Sequence, residues 1–175
     1  MLDLAVQNTN LKALKLSFTP AEEALERMRA ALDTLVDERA PSADAAAIVK
    51  EAYRTQLAAV EIHTLEGRHI AEARDEEMDK IEARMKGLDE QVRQGFIRLT
   101  AATGESGVAA IDAARAAYAD FQKVNAEVIS LSRRNSNVRS LAISLGQKRK
   151  VTVECQERLS ALQDAIRSER FRATR

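Results

Sequence analysis

With 175 residues, 45% of them hydrophobic and 31% charged, the chain can bury one core and still keep a well-solvated surface. A formal net charge of zero gives no case for nucleic-acid binding, and six glycines and two prolines are too few for the tight turns of an all-β fold. The many alanine, leucine, glutamate and arginine residues favour long helices, and no apolar run reaches the ~20 residues of a membrane span.

The first part of the chain, residues 1–40, is predicted to be a helical extension. Thr19-Pro20-Ala21-Glu22 is typical of a helix start, because the threonine caps, the proline suits the first helical position and the glutamate reaches back to the cap. An apolar stripe with steps of three and four residues follows, at Leu25, Met28, Leu32 and Leu35. Pro41 then predicts a break, since proline disfavours helix in the residue before it.

Four amphipathic segments after this break are predicted to be helices, at about 43–72, 76–102, 107–133 and 137–171. Each has apolar residues at helical spacing, and the connections between the segments are short. Such a pattern predicts an all-α domain over 41–172, an antiparallel up-down-up-down four-helix bundle to which residues 1–40 add an N-terminal helical extension.

The tip between the last two segments is marked by four polar residues, Arg134 to Asn137, that interrupt the apolar repeat. The charge around it is uneven: Glu61 to Glu90 has ten acids and five bases, whereas Arg133 to Lys150 has six bases and no acid. Two interpretations stay open. The two segments lie side by side and compensate one another, or the basic segment contains an anion site.

The sequence contains few residues of the types that commonly catalyse reactions or bind metals. The only histidines, His63 and His69, lie about 120° apart around a helix and do not converge on one ion. Glu66 and His69 match one Glu-x-x-His motif, but a di-metal bundle site needs two. Cys155 lies on an apolar stripe and is interpreted as a small hydrophobe. The sequence therefore predicts no enzyme, no metal site and no cofactor.

Two stretches of the sequence resemble a known family. The first is Leu131-Ser132-Arg133-Arg134-Asn135-Ser136-Asn137 with Leu141-Ala142-Ile143-Ser144 and Gly146-Gln147, which is similar to the start of the last helix in the four-helix-bundle sensor domains of bacterial methyl-accepting chemotaxis proteins. The second is Ala40-Pro41-Ser42, followed by Ala58 to Ala71 and Asp75-Glu76-Glu77-Met78. The resemblance covers about residues 38 to 168.

The resemblance implies a homodimeric sensor domain on the periplasmic side of the bacterial inner membrane, joined to the membrane by transmembrane segments that this chain does not contain. A small ligand of the organic-acid or amino-acid class would bind near the tip, at the dimer interface. Ligand binding would pass a small helix shift toward the membrane. The contacts would come from the end of one helix and the start of the last, at Thr64, Arg68, His69, Arg134, Asn137, Arg139 and Ser140. Each of these is equally well explained as a solvated or salt-bridged surface residue.

The long polar stretch before Pro41 departs from the family pattern and supports an alternative. In that interpretation the chain is a self-contained cytoplasmic helical protein, an adaptor, scaffold or coat that binds through an amphipathic face. Residues 1–38 would then contact the partner.

Overall fold

The computed structural model of the chain describes residues 7–173, except for the side chains of residues 147 and 170–173. The chain is all-helical, as the sequence predicts, and no strand occurs among the described residues. Within the same range, no helix is both long enough and apolar enough to cross a membrane. The first six residues of the predicted extension lie outside the described residues.

Seven α-helices occur in the described part of the chain. They are α1 Thr9–Leu16, α2 Glu22–Arg39, α3 Ala45–Ala71, α4 Asp75–Thr103, α5 Val108–Arg134, α6 Ser136–Ile143 and α7 Arg149–Ala173. A π-helical turn, Ser17–Ala21, joins α1 to α2, a 3-10 turn, Gly104–Gly107, joins α4 to α5, and a second π-helical turn, Ser144–Lys148, joins α6 to α7. The helices α3, α4 and α5 run close to three of the predicted ranges.

The predicted helix start at Thr19 is wrong, because the helix runs through Pro20. Proline has no backbone N–H, and its ring clashes with the carbonyl four residues earlier, so the backbone widens there into a π-helical turn. Such a proline costs about 3 kcal/mol in a regular helix. Contacts of Ser17 with α3, described below, offset part of this cost.

The chain divides into two compact units, and Asn8–Asn135 is the larger of them, here called the core unit. One hydrophobic cluster contains buried residues of α2, α3, α4 and α5, among them Met28, Ile62, Leu88 and Phe121. Helix α2, which lies within the predicted extension 1–40, supplies part of this core, and Ala13 of α1 packs in a smaller cluster with Ile70 and Val128. The apolar stripe was visible in the sequence, but periodicity does not identify the helix that covers it.

Neighbouring helices of the core unit run antiparallel. For α2 and α5, Arg27 Nη2 lies 3.3 Å from Asp120 Oδ2, and Arg39 Nη1 at the end of α2 lies 2.7 Å from Ser106 Oγ in the turn that precedes α5. For α3 and α4, the two polar contacts are Arg98 Nη2 to Glu51 Oε1 and Arg84 Nη2 to Glu61 Oε1, each 2.7 Å. Low residue numbers in one helix thus meet high numbers in the next.

The C-terminal segment, residues 136–173, belongs to the second unit. The sequence predicted that it completes the core as the last helix of the bundle. That arrangement is not confirmed, since most of its described large apolar side chains are exposed and none of its described residues belongs to either hydrophobic cluster. A 3.5-residue repeat marks a face that can pack against a helix without specifying which helix.

Candidate functional site

Three stretches of chain meet at one end of the core unit. Asn10 Nδ2 donates hydrogen bonds to the carbonyl of Ile70, at 2.8 Å, and to Asn135 Oδ1, at 3.0 Å. Asn135 Nδ2 donates in turn to the carbonyl of Glu72, at 2.9 Å. Asn135 ends α5 in the left-handed conformation, with φ 50°, which asparagine tolerates better than most residues. The start of α1, the α3–α4 turn and the end of α5 are therefore tied together.

His69 is fully buried just beneath this end. Its Nδ1 lies 2.8 Å from Ser132 Oγ, and its Nε2 lies 2.8 Å from Glu82 Oε1. The Ser132 hydroxyl also lies 2.8 Å from the His69 carbonyl, to which it donates. Both ring nitrogens are therefore engaged, and the side chain joins α3, α4 and α5 rather than facing a ligand.

Arg133 of α5 binds two acidic residues of α4 at this end. Its Nε donates to Glu82 Oε1 at 2.6 Å, and its Nη2 pairs with Asp79. The hydrogen bond from Arg133 Nε, followed by that from His69, holds the pKa of Glu82 below its usual range despite partial burial. The compensation that the sequence suggested between the acidic and basic segments thus occurs at Arg133.

Four of the seven predicted ligand contacts lie near this end of the core unit. Thr64 is exposed, and its hydroxyl donates to the Val60 carbonyl of its own helix at 3.0 Å. Arg68 and Arg134 are exposed, and their guanidinium groups form no ion pair or hydrogen bond with any described residue. The nearby acids are already engaged, since Glu61 pairs with Arg84, and Glu72 pairs with Arg74.

The remaining predicted contacts, Asn137, Arg139 and Ser140, lie on α6 in the second unit. Asn137 and Arg139 both interact with other residues. Of the predicted set, His69 is a buried structural residue, whereas Arg68 and Arg134 are exposed and form no ion pair with a described residue.

A second buried polar cluster, formed by Ser17, His63 and Glu66, was not predicted as a site. Glu66 is fully buried, and its Oε2 accepts a hydrogen bond from Ser17 Oγ at 2.5 Å. His63 Nε2 lies 3.0 Å from the Ser17 carbonyl, so α3 binds the π-helical turn through both the side chain and the backbone of Ser17. One sequence signal was present: Glu66 follows Ile62 by four residues and precedes His69 by three, which places it on the buried face of α3.

Burial raises the pKa of the Glu66 carboxyl, although the Ser17 hydrogen bond and the nearby His63 act in the opposite direction. Its other oxygen, Oε1, is buried and has no hydrogen-bond partner among the described residues. Glu66 and His69 bind different partners, so the Glu-x-x-His motif does not form one site. No group of three or more metal-ligating side chains occurs in the described part of the chain.

We expect Glu66→Gln to reduce the pH dependence of stability. An acid with a raised pKa in the folded state favours folding at low pH and loses that contribution as pH rises above its ordinary value of 4.5. The wild type should therefore lose more unfolding free energy than the variant between about pH 5 and about pH 8. Chemical denaturation at both pH values measures this, with the exposed Glu127→Gln as the control. Equal losses in wild type and Glu66→Gln would contradict the assignment.

A surface groove of the core unit lies between α4 and α5 and has a volume of about 760 Å³. Its floor includes Phe96 and Tyr118, and Arg115 lies over the Phe96 ring at 5.8 Å. The other two cations at its edge are already paired, Arg93 with Asp89 at 2.9 Å and Lys123 with Asp120 at 3.0 Å. The groove therefore attracts an anion less than the end that carries Arg68 and Arg134.

The comparisons with known proteins identify no family for this chain: no family model, no curated protein sequence and no solved structure matches it.

Proposed function

We propose that this chain is the extracytoplasmic sensory domain of a chemoreceptor-type transmembrane signal transducer. It binds a small carboxylate ligand at a dimer interface, on the periplasmic side of the membrane. The proposal rests on the sequence resemblance over about residues 38 to 168. The observation that supports it is the pair of exposed arginines, Arg68 and Arg134, near one end of the core unit where the neighbouring acids are already paired.

The chemistry of this pair suits a carboxylate. A guanidinium binds a carboxylate through two parallel charge-assisted hydrogen bonds, which supply both charge and orientation. Surface cations that already pair with acids must first give up those contacts, whereas Arg68 and Arg134 have none to give up among the described residues. A small anion therefore displaces no existing ion pair when it binds these two arginines.

A ligand at this end would act on helices that meet there. Arg68 lies in α3 and Arg134 in α5, and the two helices are joined by the His69–Ser132 contact and, through Asn10, by the hydrogen bonds to Ile70 and Asn135. An anion that binds both arginines favours one relative position of α3 and α5 over others. In the proposed function, this preference is the origin of the helix shift that is passed toward the membrane. The four-helix-bundle arrangement of the proposed family would transmit it along the helices.

We expect a panel of organic acids and amino acids to contain a compound that raises the melting temperature. At a hundred times its dissociation constant, a ligand that binds only the folded state adds about 2.7 kcal/mol to the unfolding free energy. Arg68→Ala and Arg134→Ala should abolish this gain but leave the unliganded stability within about 0.5 kcal/mol, because both side chains are exposed.

The matched control is Arg54→Ala, an exposed arginine earlier in α3, which should keep the full ligand response. A panel that never shifts the melting temperature would contradict ligand binding. A response that survives both Arg68→Ala and Arg134→Ala would place the ligand elsewhere.

The second candidate function, a helical adaptor or scaffold in the cytoplasm, is favoured by one observation, the exposed apolar side chains of the C-terminal segment. The sequence assigned partner binding to residues 1–38, but deletion of this range is a poor test. It would remove α1 and most of α2, whose Met28, Leu32 and Leu35 are buried in the core. Partner binding is better tested by substitutions on α7.

A further inference from the structure

Helix α3 carries large apolar side chains on its outer face as well as on the face that packs in the core. The outer residues, here called the α3 outer stripe, are Val49, Tyr53, Leu57 and Val60. Their exposed fractions range from 41% to 66%. Among the other long helices of the core unit, all of them described, α2 has no exposed large apolar side chain, and α4 and α5 have one each, Ile97 and Val108. The exposed apolar surface of these helices is therefore concentrated on α3.

The four residues of the α3 outer stripe form one continuous surface. They follow one another at steps of four, four and three residues. At 3.6 residues per turn, these positions lie within about 80° of one another around the helix and extend over about 16 Å. Together they still show on the order of 350 Å² to water, which is the size of the largest apolar patch on many monomers, and such patches often bind a partner. A strip of this length and width matches the apolar face of another helix.

The charges beside the stripe indicate what the partner carries. Lys50 and Arg54 are exposed and form no ion pair or hydrogen bond with any described residue. The acids Glu51 and Glu61 are already paired, since each accepts a hydrogen bond from an arginine of α4 at 2.7 Å. Between residues 49 and 61, α3 thus keeps two unpaired cations and no unpaired carboxylate. This surface attracts a partner that has acidic residues beside its apolar face.

A cleft between α3 and α4 opens beside the stripe. It has a volume of about 350 Å³, and its walls include Leu57, Arg54, Gln91 and Arg98. A pocket next to an apolar surface suits the anchor side chain of a protein partner, because the residues that dominate binding energy insert into such pockets. The polar walls offer hydrogen bonds that the acyl chains of a lipid cannot use. The cleft therefore favours a protein over a membrane surface.

The charges also disfavour helices of this chain as the partner. Residues 136–175 contain nine bases and four acids, so Lys50 and Arg54 repel the C-terminal segment, whether it belongs to the same chain or to a second copy. An antiparallel pair of α3 helices about a two-fold axis would bring the Arg54 side chains of both copies to the same edge, where like charges repel. The partner that fits is a helix of another protein with an acidic polar face.

We propose that the α3 outer stripe binds an acidic amphipathic helix of another protein. The partner's apolar residues cover Tyr53 and Leu57, and its carboxylates pair with Lys50 and Arg54. Such an interface buries on the order of 700–1,000 Å² in total, so the complex is transient, with a dissociation constant in the micromolar range or weaker. The proposal goes beyond the proposed function and does not rest on it, because none of these residues is a predicted ligand contact.

The first test titrates a fluorescent helical peptide with the full chain and measures its anisotropy. The peptide has leucines on one face, at steps of four, four and three residues, and glutamates on the opposite face. We expect binding in the micromolar range that weakens as the salt concentration rises. A second peptide with lysine at every glutamate position should bind at least tenfold more weakly. Equal binding of the two peptides, or no binding of the acidic one, would overturn the proposal.

The second test locates the binding surface. Leu57→Asp, which places a charge in the centre of the stripe, should weaken binding of the acidic peptide at least tenfold. The matched control is Ile97→Asp on α4, which adds the same charge at a position of similar exposure, 54% against 52%, and should leave the affinity within about twofold. Circular dichroism checks that both variants are folded. Equal effects of the two variants would contradict the assignment.

A charge reversal tests the acidic character of the partner. Arg54→Glu should weaken binding of the acidic peptide and strengthen binding of the lysine peptide. Lys86→Glu, at an exposed cation of α4 that has no ion pair with a described residue, should change neither. A chain that sediments with phosphatidylglycerol vesicles only while Leu57 is intact would mean that lipid covers the stripe. A dimer that Leu57→Asp dissociates would mean that a second copy covers it. Either result would overturn the proposal.

Discussion

Gly95→Ala is expected to lower the free energy of unfolding of the core unit by about 1–3 kcal/mol, because overpacking forces neighbouring atoms to move. A Cβ added at Gly95 would lie 2.1 Å from Thr55 Oγ1 and 3.0 Å from Thr55 Cβ. Thr55 is buried and its hydroxyl is bonded to the Glu51 carbonyl of its own helix at 2.8 Å, so it has little freedom to turn away. Helices α3 and α4 therefore lie in close contact at this pair.

The control for Gly95→Ala is Gly87→Ala in the same helix. A Cβ at Gly87 meets nothing within 4 Å among the described residues, so the usual preference of helices for alanine should raise stability by roughly 0.5–1 kcal/mol. The two substitutions in one helix should therefore change the free energy of unfolding in opposite directions. Chemical denaturation followed by circular dichroism measures both changes. In a Thr55→Ala background, the methyl group added by Gly95→Ala has room. The loss of unfolding free energy caused by Gly95→Ala should therefore be smaller there than in the wild type. If Gly95→Ala stabilises as much as Gly87→Ala does, the close contact between α3 and α4 is wrong.

His69→Ala is expected to lower the free energy of unfolding by about 2–4 kcal/mol, because it combines a buried cavity with lost hydrogen bonds. The ring is fully buried and contacts Ser132 and Glu82 in two other helices. Without it, Glu82 keeps its bond to Arg133, but α3 loses its side-chain connection to α4 and α5 at this end. Thermal and chemical denaturation in the absence of ligand measure the loss.

Arg68→Ala, one residue earlier in the same helix turn, is the control for His69→Ala. Its side chain is exposed, so stability without ligand should change by less than about 0.5 kcal/mol. The two variants thus separate two roles that the sequence had grouped together: His69 holds the helices, and Arg68 stays available to an anion. A stable His69→Ala variant that has lost only a ligand response would reverse this assignment and restore His69 as a ligand contact.

The two proposals concern residues in different parts of the chain. Variants at Arg68 and Arg134 test anion binding at the end of the core unit, and substitutions on α7 test partner binding by the C-terminal segment. Because the two sets of residues lie in different units, a substitution in one set should leave the stability of the other unit unchanged. The pH response of Glu66 tests neither proposal, since it reports the contact between the π-helical turn and α3.

The amino-acid sequence by itself determined the local structure of this protein. The apolar residues spaced by three and four predict helices, Pro41 predicts the break that separates α2 from α3, and Asn135 lies within the predicted tip, where α5 ends. These features depend on interactions within a few residues, such as backbone preferences and the periodicity of one helical face. The same periodicity placed Glu66 and His69 on one helix, without showing that one of them faces Ser17 and the other Ser132.

Only the tertiary structure decided which helices share a core. The stripes of α2 and of α7 look alike in the sequence, yet Met28 and Leu35 are buried while Leu159 and Leu162 are exposed. The continuation of the helix through Pro20 also depended on long-range contacts, since Ser17 is held by His63 and Glu66, more than forty positions later in the chain. Burial energy depends on which surfaces meet, and a repeat of apolar residues carries no information about the identity of its partner.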